Sequence, residues 1–335
     1  MTSNMGRRIG GVWRHATALW RRGEARRRRA ARAAALSAAL GCAAAAASAE
    51  ELAFFSLGAG ELDGGYWRTA QAVCDLVNAD HRGALRCSPE TTPGSRYNLD
   101  ALMARELDFA ILQADVAARA EGEGASGLRL VSGLYDETLT LLAAPSSGVT
   151  RNADLAGKVV DIGAPASGRN ATVRAIMAGL GVDETFFSGL RELPGPATVE
   201  ALCARRVDAA LLVVGHPSAL VEAALACGAT IATFRGPQID AFVAETPSMR
   251  PALIAASRYG GLREDVDTIA LRAVLVTRVD TPPDLVEAVA ATMLARLGAL
   301  ERATPLLAGL TAGEMAEPGV GPPLHPGAAR AFGAD

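Results

Sequence analysis

From residue 52 onward, short apolar runs alternate with segments of helical periodicity. Residues 52–57 (LAFFSL) read as a buried strand and residues 58–65 as a glycine-rich turn. Trp67, Ala70, Val73, Cys74 and Val77 then recur at helical spacing within residues 66–78. A strand is expected over 85–88, a loop and helix start at 92–95, a helix over 98–105, and strands at 109–112 and 131–134. The order then begins again. Residues 159–162 predict a strand, 163–168 a turn, 170–179 a helix with Val173, Ile176 and Met177 on one face, and 190–193 a strand. A helix over 199–205, a strand over 209–214, a helix over 221–226 and a short strand over 230–233 complete the second round. Two long apolar strands, 138–144 and 269–276, bracket it. A helix over 285–300 follows, with Asp280 or Thr281 as its cap and Pro282 in its first turn. The tail, 313–335, is rich in Gly and Pro.

The two rounds share residues as well as pattern. Residues 101–112 read ALMARELDFAIL and residues 201–212 read ALCARRVDAALL. Ala101, Leu102, Ala104, Arg105, Asp108, Ala110 and Leu112 recur as Ala201, Leu202, Ala204, Arg205, Asp208, Ala210 and Leu212. The chain therefore builds one α/β unit twice. Strand and helix alternating in this way predict parallel sheets. Two such units facing each other would make a cleft, with the two long strands crossing between them. If each copy closes one sheet, residues 109–112 and 209–214 should hold matching places in two separate sheets. Asp108 and Asp208 read as local caps of the turns before those strands.

Composition changes this picture at the N-terminus. Residues 1–49 hold ten Arg and a single Glu, then an apolar stretch over 33–47, then Ala47-Ser48-Ala49. That is the layout of a signal peptide cleaved after Ala49, which would place the chain in the periplasm, with a lipoprotein signal at Cys42 as the weaker alternative. Without those residues, 23 Lys and Arg stand against 35 Asp and Glu, a net charge near −12. Nucleic acid and anionic lipid are poor partners for such a surface. Cys74, Cys87, Cys203 and Cys227 remain. Their distribution suggests the pairs Cys74–Cys87 and Cys203–Cys227, with buried free thiols as the alternative. His81, His216 and His325 are scattered, so no metal site is expected.

Candidate chemistry gathers at three helix starts. The turn carrying Gly58, Gly60, Gly64 and Gly65 joins a strand to a helix, which offers backbone N–H groups to an anion. Its spacing, G-x-G-x-x-x-G-G, is not that of a dinucleotide fold, and no cofactor is expected. Ser167-Gly168-Arg169-Asn170 begins the equivalent helix of the second round, where a hydroxyl and free N–H groups could hold a carboxylate; an ordinary helix cap is the alternative. Thr92-Pro93-Gly94-Ser95 opens a third helix. Three such ends converging on one cleft suit an anionic or zwitterionic solute. Ser167 lacks the G-x-S-x-G context of a hydrolase, and enzymatic use would require Ser167 and His216 within hydrogen-bond reach. No catalytic residue is assigned, and the chain is not expected to be an enzyme.

The motifs and their order resemble the TAXI-type solute receptors of TRAP transporters. The matching pieces are Gly58-Ala-Gly60 with Gly64-Gly65-Tyr66-Trp67, the segment from Thr92 to Asn98, Asp108 to Val116, Gly163 to Gly168, Gly215-His216-Pro217 and His325-Pro-Gly327-Ala328. The resemblance implies a type II periplasmic binding protein: two hinged, Rossmann-like α/β lobes, with residues 50–140 and 270–335 in one and 141–269 in the other. It implies a small carboxylate or amino-acid-like solute held between them by Gly60, Gly64, Gly65, Tyr66, Gly94, Ser95, Gln113, Ser167, Gly168 and His216. The receptor would act as a monomer and deliver its solute to TRAP membrane subunits. A sensing protein that signals to a membrane partner without transport is the second reading. One departure stands out. Glu61 and Asp63 occupy a loop that is usually rich in Gly and Thr, and if they face the cleft they repel a dianion and favour an amino group.

Overall fold

Apolar runs become strands and periodic segments become helices. The computed structural model describes residues 52–124, 127–316 and 321–334; the expected signal peptide, residues 1–49, lies outside them. The first round forms β1 (Ala53–Gly58), α1 (Gly65–Asp80), β2 (Leu85–Glu90), α2 (Ser95–Met103), β3 (Phe109–Gln113) and α3 (Ala114–Gly122). β4 (Leu128–Ala143) leads into the second round. That round comprises β5 (Val159–Asp161), α4 (Gly168–Gly179), β6 (Gly189–Arg191), α5 (Gly195–Cys203), β7 (Ala209–Val214), α6 (Ala219–Ala226) and β8 (Thr230–Ala232). Then come α7 (Pro237–Ala244), β9 (Met249–Ile254), β10 (Val266–Arg278), α8 (Pro283–Ala295), α9 (Leu297–Ala303), α10 (Ala312–Ala316) and α11 (Pro326–Phe332).

The departures from the sequence pattern have local causes. Residues 131–134 and 138–144 belong to one strand, because Asp136 and Glu137 interrupt the apolar pattern without ending the backbone ladder. Helices α3 and α7 and strand β9 carry no pattern that announces them. Among the described strands β9 pairs only with β10, and such an edge position accommodates Pro251. The expected helix over 285–300 is divided at Arg296 into α8 and α9. Its cap is Pro282, without a side-chain bond. Thr281 instead bonds Thr277 through their hydroxyls at 2.8 Å, and Asp280 pairs with Arg105 and Arg278.

One ten-stranded sheet follows the path β2-β1-β3-β10-β4-β7-β5-β6, with β8 on β4 and β9 on β10 off that path. This corrects the expectation of two separate sheets. β4 and β10, 16 and 13 residues long, pair with each other from Leu128↔Arg278 to Thr138↔Ala270 and still serve both ends. The matching places are nevertheless present. β3 lies between parallel β1 and antiparallel β10, and β7 lies between parallel β5 and antiparallel β4.

The hundred-residue echo extends to single bonds. Arg105 and Arg205 both take left-handed backbone, at φ 66° and 57°. Glu106 N–H reaches Ala101 O and Arg206 N–H reaches Ala201 O, each at 2.8 Å, the wrap-around closure of a helix C-terminus. Asp108 then accepts from Ser56 N–H on β1 at 2.9 Å, and Asp208 accepts from Val159 N–H on β5 at 2.8 Å. The repeated acids thus pin each inner strand to its parallel neighbour.

Each half of the sheet is covered on both faces. At the β1 end, Leu57, Val73, Val77, Val286 and Met293 pack on one face and Leu102, Leu112, Ala117 and Val276 on the other. At the β5 end the faces carry Leu139, Val160, Val173 and Ile176, and Leu142, Leu202, Leu212 and Val221. The cores change over between Tyr135 and Leu139 on β4 and between Leu271 and Ala273 on β10. The β4–β10 ladder slips register just beyond that point, between Arg272 and Val274 and again between Leu275 and Val276, as local bulges do.

Both suggested disulfides are present. Cys74–Cys87 ties α1 to β2, and Cys203–Cys227 ties the end of α5 to the residue after α6. They close loops of 13 and 24 residues. The chain-entropy relation then gives about 3 kcal/mol of stability for each bridge. Urea unfolding with and without a reductant should show that loss, and a midpoint that does not move would refute it.

Candidate functional site

The C-terminal ends of β1, β3, β5 and β7 all open toward the line where the two halves of the sheet meet. Open α/β sheets place ligands at such strand ends. A cavity of about 170 Å³ lies there. From the first round it is lined by Gly60, Gly64, Gly65, Tyr66, Gly94, Ser95 and Gln113, and from the second by Ser167 and Gly168. Nine of the ten expected ligand residues are thus brought together. The first N–H groups of α1 and α4 have no intrahelical acceptor and carry the positive end of the helix dipole. Gly65, Tyr66 and Gly168, which supply some of those groups, all line the cavity.

Glycine is required where the two rounds touch. Gly94, which precedes α2, holds φ at 115°, and a Cβ there would lie 3.7 Å from Gly168 N and 3.8 Å from Ser167 Cα. A Cβ on Gly168 would come within 2.0 Å of Gln113 Oε1 and 2.5 Å of Ser95 Oγ. Gly65 and Gly215, one from each round, both abut Tyr135 and Leu306. Hydrogen bonds also cross between the rounds. Tyr97 N–H donates to Ala166 O at 3.2 Å, and Thr172 donates to Asp115 Oδ2 at 2.7 Å. Gly195 N–H donates to Glu61 Oε1 at 3.4 Å. These bonds and contacts join the two rounds across the cavity.

Inside the cleft, polar groups are held by their neighbours. Ser95 Oγ accepts from Gln113 N–H at 3.1 Å, and Asn98 donates to Ala59 O and Ile111 O, fixing α2 against β1 and β3. Ser167 is the N-cap of α4: its Oγ accepts from Asn170 N–H at 3.2 Å and donates to Ala164 O at 2.6 Å. The capping alternative therefore describes its side chain, while its backbone faces the cavity. Arg169 is nine-tenths buried and donates to Asp161 Oδ2 and Leu193 O, each at 2.7 Å, and to Thr198 Oγ1 at 3.0 Å. Its Nη1 is buried without a partner among the described residues. Burial lowers its pKa, and the Asp161 carboxylate opposes that shift.

On β4, Tyr66 OH donates to Glu137 Oε2 at 2.8 Å, with Ser95 Oγ 3.4 Å from the same hydroxyl. Burial pushes the Glu137 carboxyl up to about 8; the Tyr66 bond opposes this and the Asp115 charge adds to it. Burial, with the Glu137 charge, also raises Tyr66 and Tyr135 well above the ordinary tyrosine value. Glu61, Asp63 and Arg68 line the mouth of the cavity with solvent-exposed residues.

His216 is placed differently. Its ring lines a second cavity of about 300 Å³, together with Thr138, Arg258 and Arg272. Nε2 is shared with Thr138 Oγ1 at 2.6 Å and Thr140 Oγ1 at 3.0 Å, and Nδ1 bonds Tyr259 OH. Burial lowers its pKa to about 4, so the ring is neutral at pH 7. Neither Ser167 Oγ nor His216 bonds the other in this arrangement.

Glu137, Arg169, Tyr135 and Leu306 were not among the expected site residues. One signal for Glu137 is in the sequence: Asp136-Glu137 places two acids inside an otherwise apolar crossing strand. Arg169 stood within the Ser167–Asn170 motif without a role.

Solved structures share this architecture at low identity. One from Bordetella bronchiseptica RB50 superposes with a TM-score of 0.52 at 16% identity, covering 84% of this chain and 89% of that one. XAC2383 from Xanthomonas citri, solved bound to ATP, gives 0.50 at 12% identity, with 84% and 94% covered. The periplasmic aliphatic sulphonate binding protein SsuA from Escherichia coli gives 0.45 at 16% identity, with 76% and 77% covered. The fold is that of the type II periplasmic binding proteins. Residues 57–333 match the NMT1-like family, and the chain belongs to it. No helix among the described residues is long and apolar enough to cross a membrane.

Proposed function

We propose that this chain is a periplasmic solute-binding receptor of an import system, and specifically a TAXI-type receptor serving TRAP membrane subunits. The observation that carries this reading is the cavity between the two rounds, into which two helix N-termini open. The TAXI assignment is supported by the order of the motifs, five of whose turns and strand ends line that cavity. Residues 50–140 with 270–335 and residues 141–269 act as the two lobes. β4 and β10 are the hinge, a reading supported by the change of core and the register slips at that point. Lobe closure traps the solute.

The occupant is small, because the cavity falls below the roughly 300–1,000 Å³ of drug-sized pockets. It is a carboxylate or amino-acid-like solute: its anionic end is held by the N–H groups of Gly168 and its neighbours, while Gly60, Gly64, Gly65, Tyr66, Gly94, Ser95 and Gln113 form the opposite wall. His216 serves the hinge through Thr138 and Tyr259. A thermal-shift screen of the chain without residues 1–49, against amino acids, 2-oxoacids and dicarboxylates, tests this. Selective binding to the folded state should raise the melting temperature by about 5 °C or more at a hundredfold excess over Kd. A screen in which no compound moves the transition would refute the substrate class.

A further inference from the structure

We infer that the floor of the cleft reads a positive charge: Glu137 takes the ammonium group of the solute, releasing its own proton as it does so. This deepens the receptor reading above and rests on it.

Glu137 is 5% exposed and stands on β4, where the two rounds meet. One carboxyl oxygen accepts from Tyr66 OH, and among the described residues nothing else hydrogen-bonds the group, although it lines the cavity. Among the described residues no cation pairs with it. Arg169 is committed to Asp161, and Arg68 is exposed at the mouth. The titratable groups that face Glu137 are Tyr66 from α1, Tyr135 from β4 and Asp115 from α3. Asp115 is itself held by Arg119 and Thr172, at 2.8 and 2.7 Å. A buried carboxylate with no cationic partner takes up a proton unless a cation arrives. Burial holds this carboxyl near 8, so it is mostly protonated at pH 7. An ammonium group replaces that proton. A 2-oxoacid or dicarboxylate brings no cation to replace it.

The sign of the linkage follows. Solute binds the ionised form, whose fraction rises with pH and reaches one half near 8. Affinity therefore strengthens by nearly tenfold per pH unit well below that value, and by about 50-fold between pH 6 and pH 8. His216, with its pKa lowered to about 4, stays neutral across this window and contributes nothing. If Glu137 instead kept its proton and donated it to an anionic oxygen of the solute, affinity would fall over the same range.

The test is titration calorimetry on the chain without residues 1–49, using matched pairs: L-glutamate with 2-oxoglutarate, and L-leucine with 4-methyl-2-oxopentanoate. Each pair is measured at pH 6, 7 and 8 in two buffers of different ionisation enthalpy, for the native sequence and for Glu137→Gln. The expected result is binding of an amino acid and not its oxoacid, close to one proton released at pH 6, and about 50-fold tightening by pH 8. Glu137→Gln should flatten that profile and weaken binding at pH 8 at least tenfold. An oxoacid that binds as tightly as its amino acid, an affinity that falls with pH, or an unchanged Glu137→Gln profile overturns the inference and leaves a receptor standing. Binding by no member of either pair overturns the inference and counts against the amino-acid and oxoacid substrate class as well. The pH series on the native sequence needs no variant to fold.

Discussion

Gly168→Val should cost about 100-fold in solute affinity while leaving the unliganded protein folded. A Cβ at this position would meet Gln113 Oε1 at 2.0 Å and Ser95 Oγ at 2.5 Å. Neither target can step aside cheaply. Ser95 Oγ already holds Gln113 N–H, and Gln113 Oε1 accepts from Thr172 across the cleft. Overpacking of this kind costs up to about 3 kcal/mol. The cost falls on contact between the two rounds and not on α4 itself, because Gly168 is outside the left-handed region and glycine is a poor helix former. Calorimetry with any solute from the thermal-shift screen, beside the melting temperature without solute, separates the two effects. Unchanged affinity would mean that the halves need not close at this point.

Asp161→Ala should destabilise the chain by about 3–5 kcal/mol, the usual consequence of removing one partner of a buried ion pair. Asp161 is fully buried and accepts from Arg169, from Thr198 Oγ1 at 2.7 Å and from Leu193 N–H at 2.8 Å. Its loss leaves a guanidinium that is nine-tenths buried with only Leu193 O and Thr198 as acceptors. The double variant Asp161→Ala/Arg169→Met should recover most of the loss, since no charge then remains unanswered. Urea unfolding of the single and double variants measures both. A single-variant loss under about 1 kcal/mol would show that the pair contributes little.

Much of the architecture could be read from the chain because two signals reinforced each other. The apolar strand, Gly turn and helix order recurred, and the 101–112 echo fixed which segments were equivalent. Arg105 and Arg205, left-handed in both copies, show that the echo encodes a helix ending and not composition alone. Edges were harder. β9 contains Pro251 and among the described strands pairs only with β10, and α3 follows Gln113 without a side-chain cap. Neither has the local chemistry that marks an element. The expectation of two sheets failed because periodicity locates strands but does not tell which pair; β4–β10 pairing is a long-range property.

In the site, glycines were legible and charges were not. Gly65, Gly94 and Gly168 are needed for close backbone approach, which a Gly-rich turn before a helix announces. Glu137 and Arg169 owe their roles to what surrounds them. Burial and the lack, among the described residues, of a cation beside Glu137 and of an acceptor for Arg169 Nη1 are features that exist only after folding.

Gly65 and Gly215 rest on the same two side chains, Tyr135 and Leu306. Those side chains are a spacer between the jaws of a caliper. On the proposed lobe closure, however strongly a solute draws the halves together, the jaws stop at the thickness of one tyrosine ring and one leucine. The smallest molecule that can be gripped is therefore set by two residues that also wall the cavity.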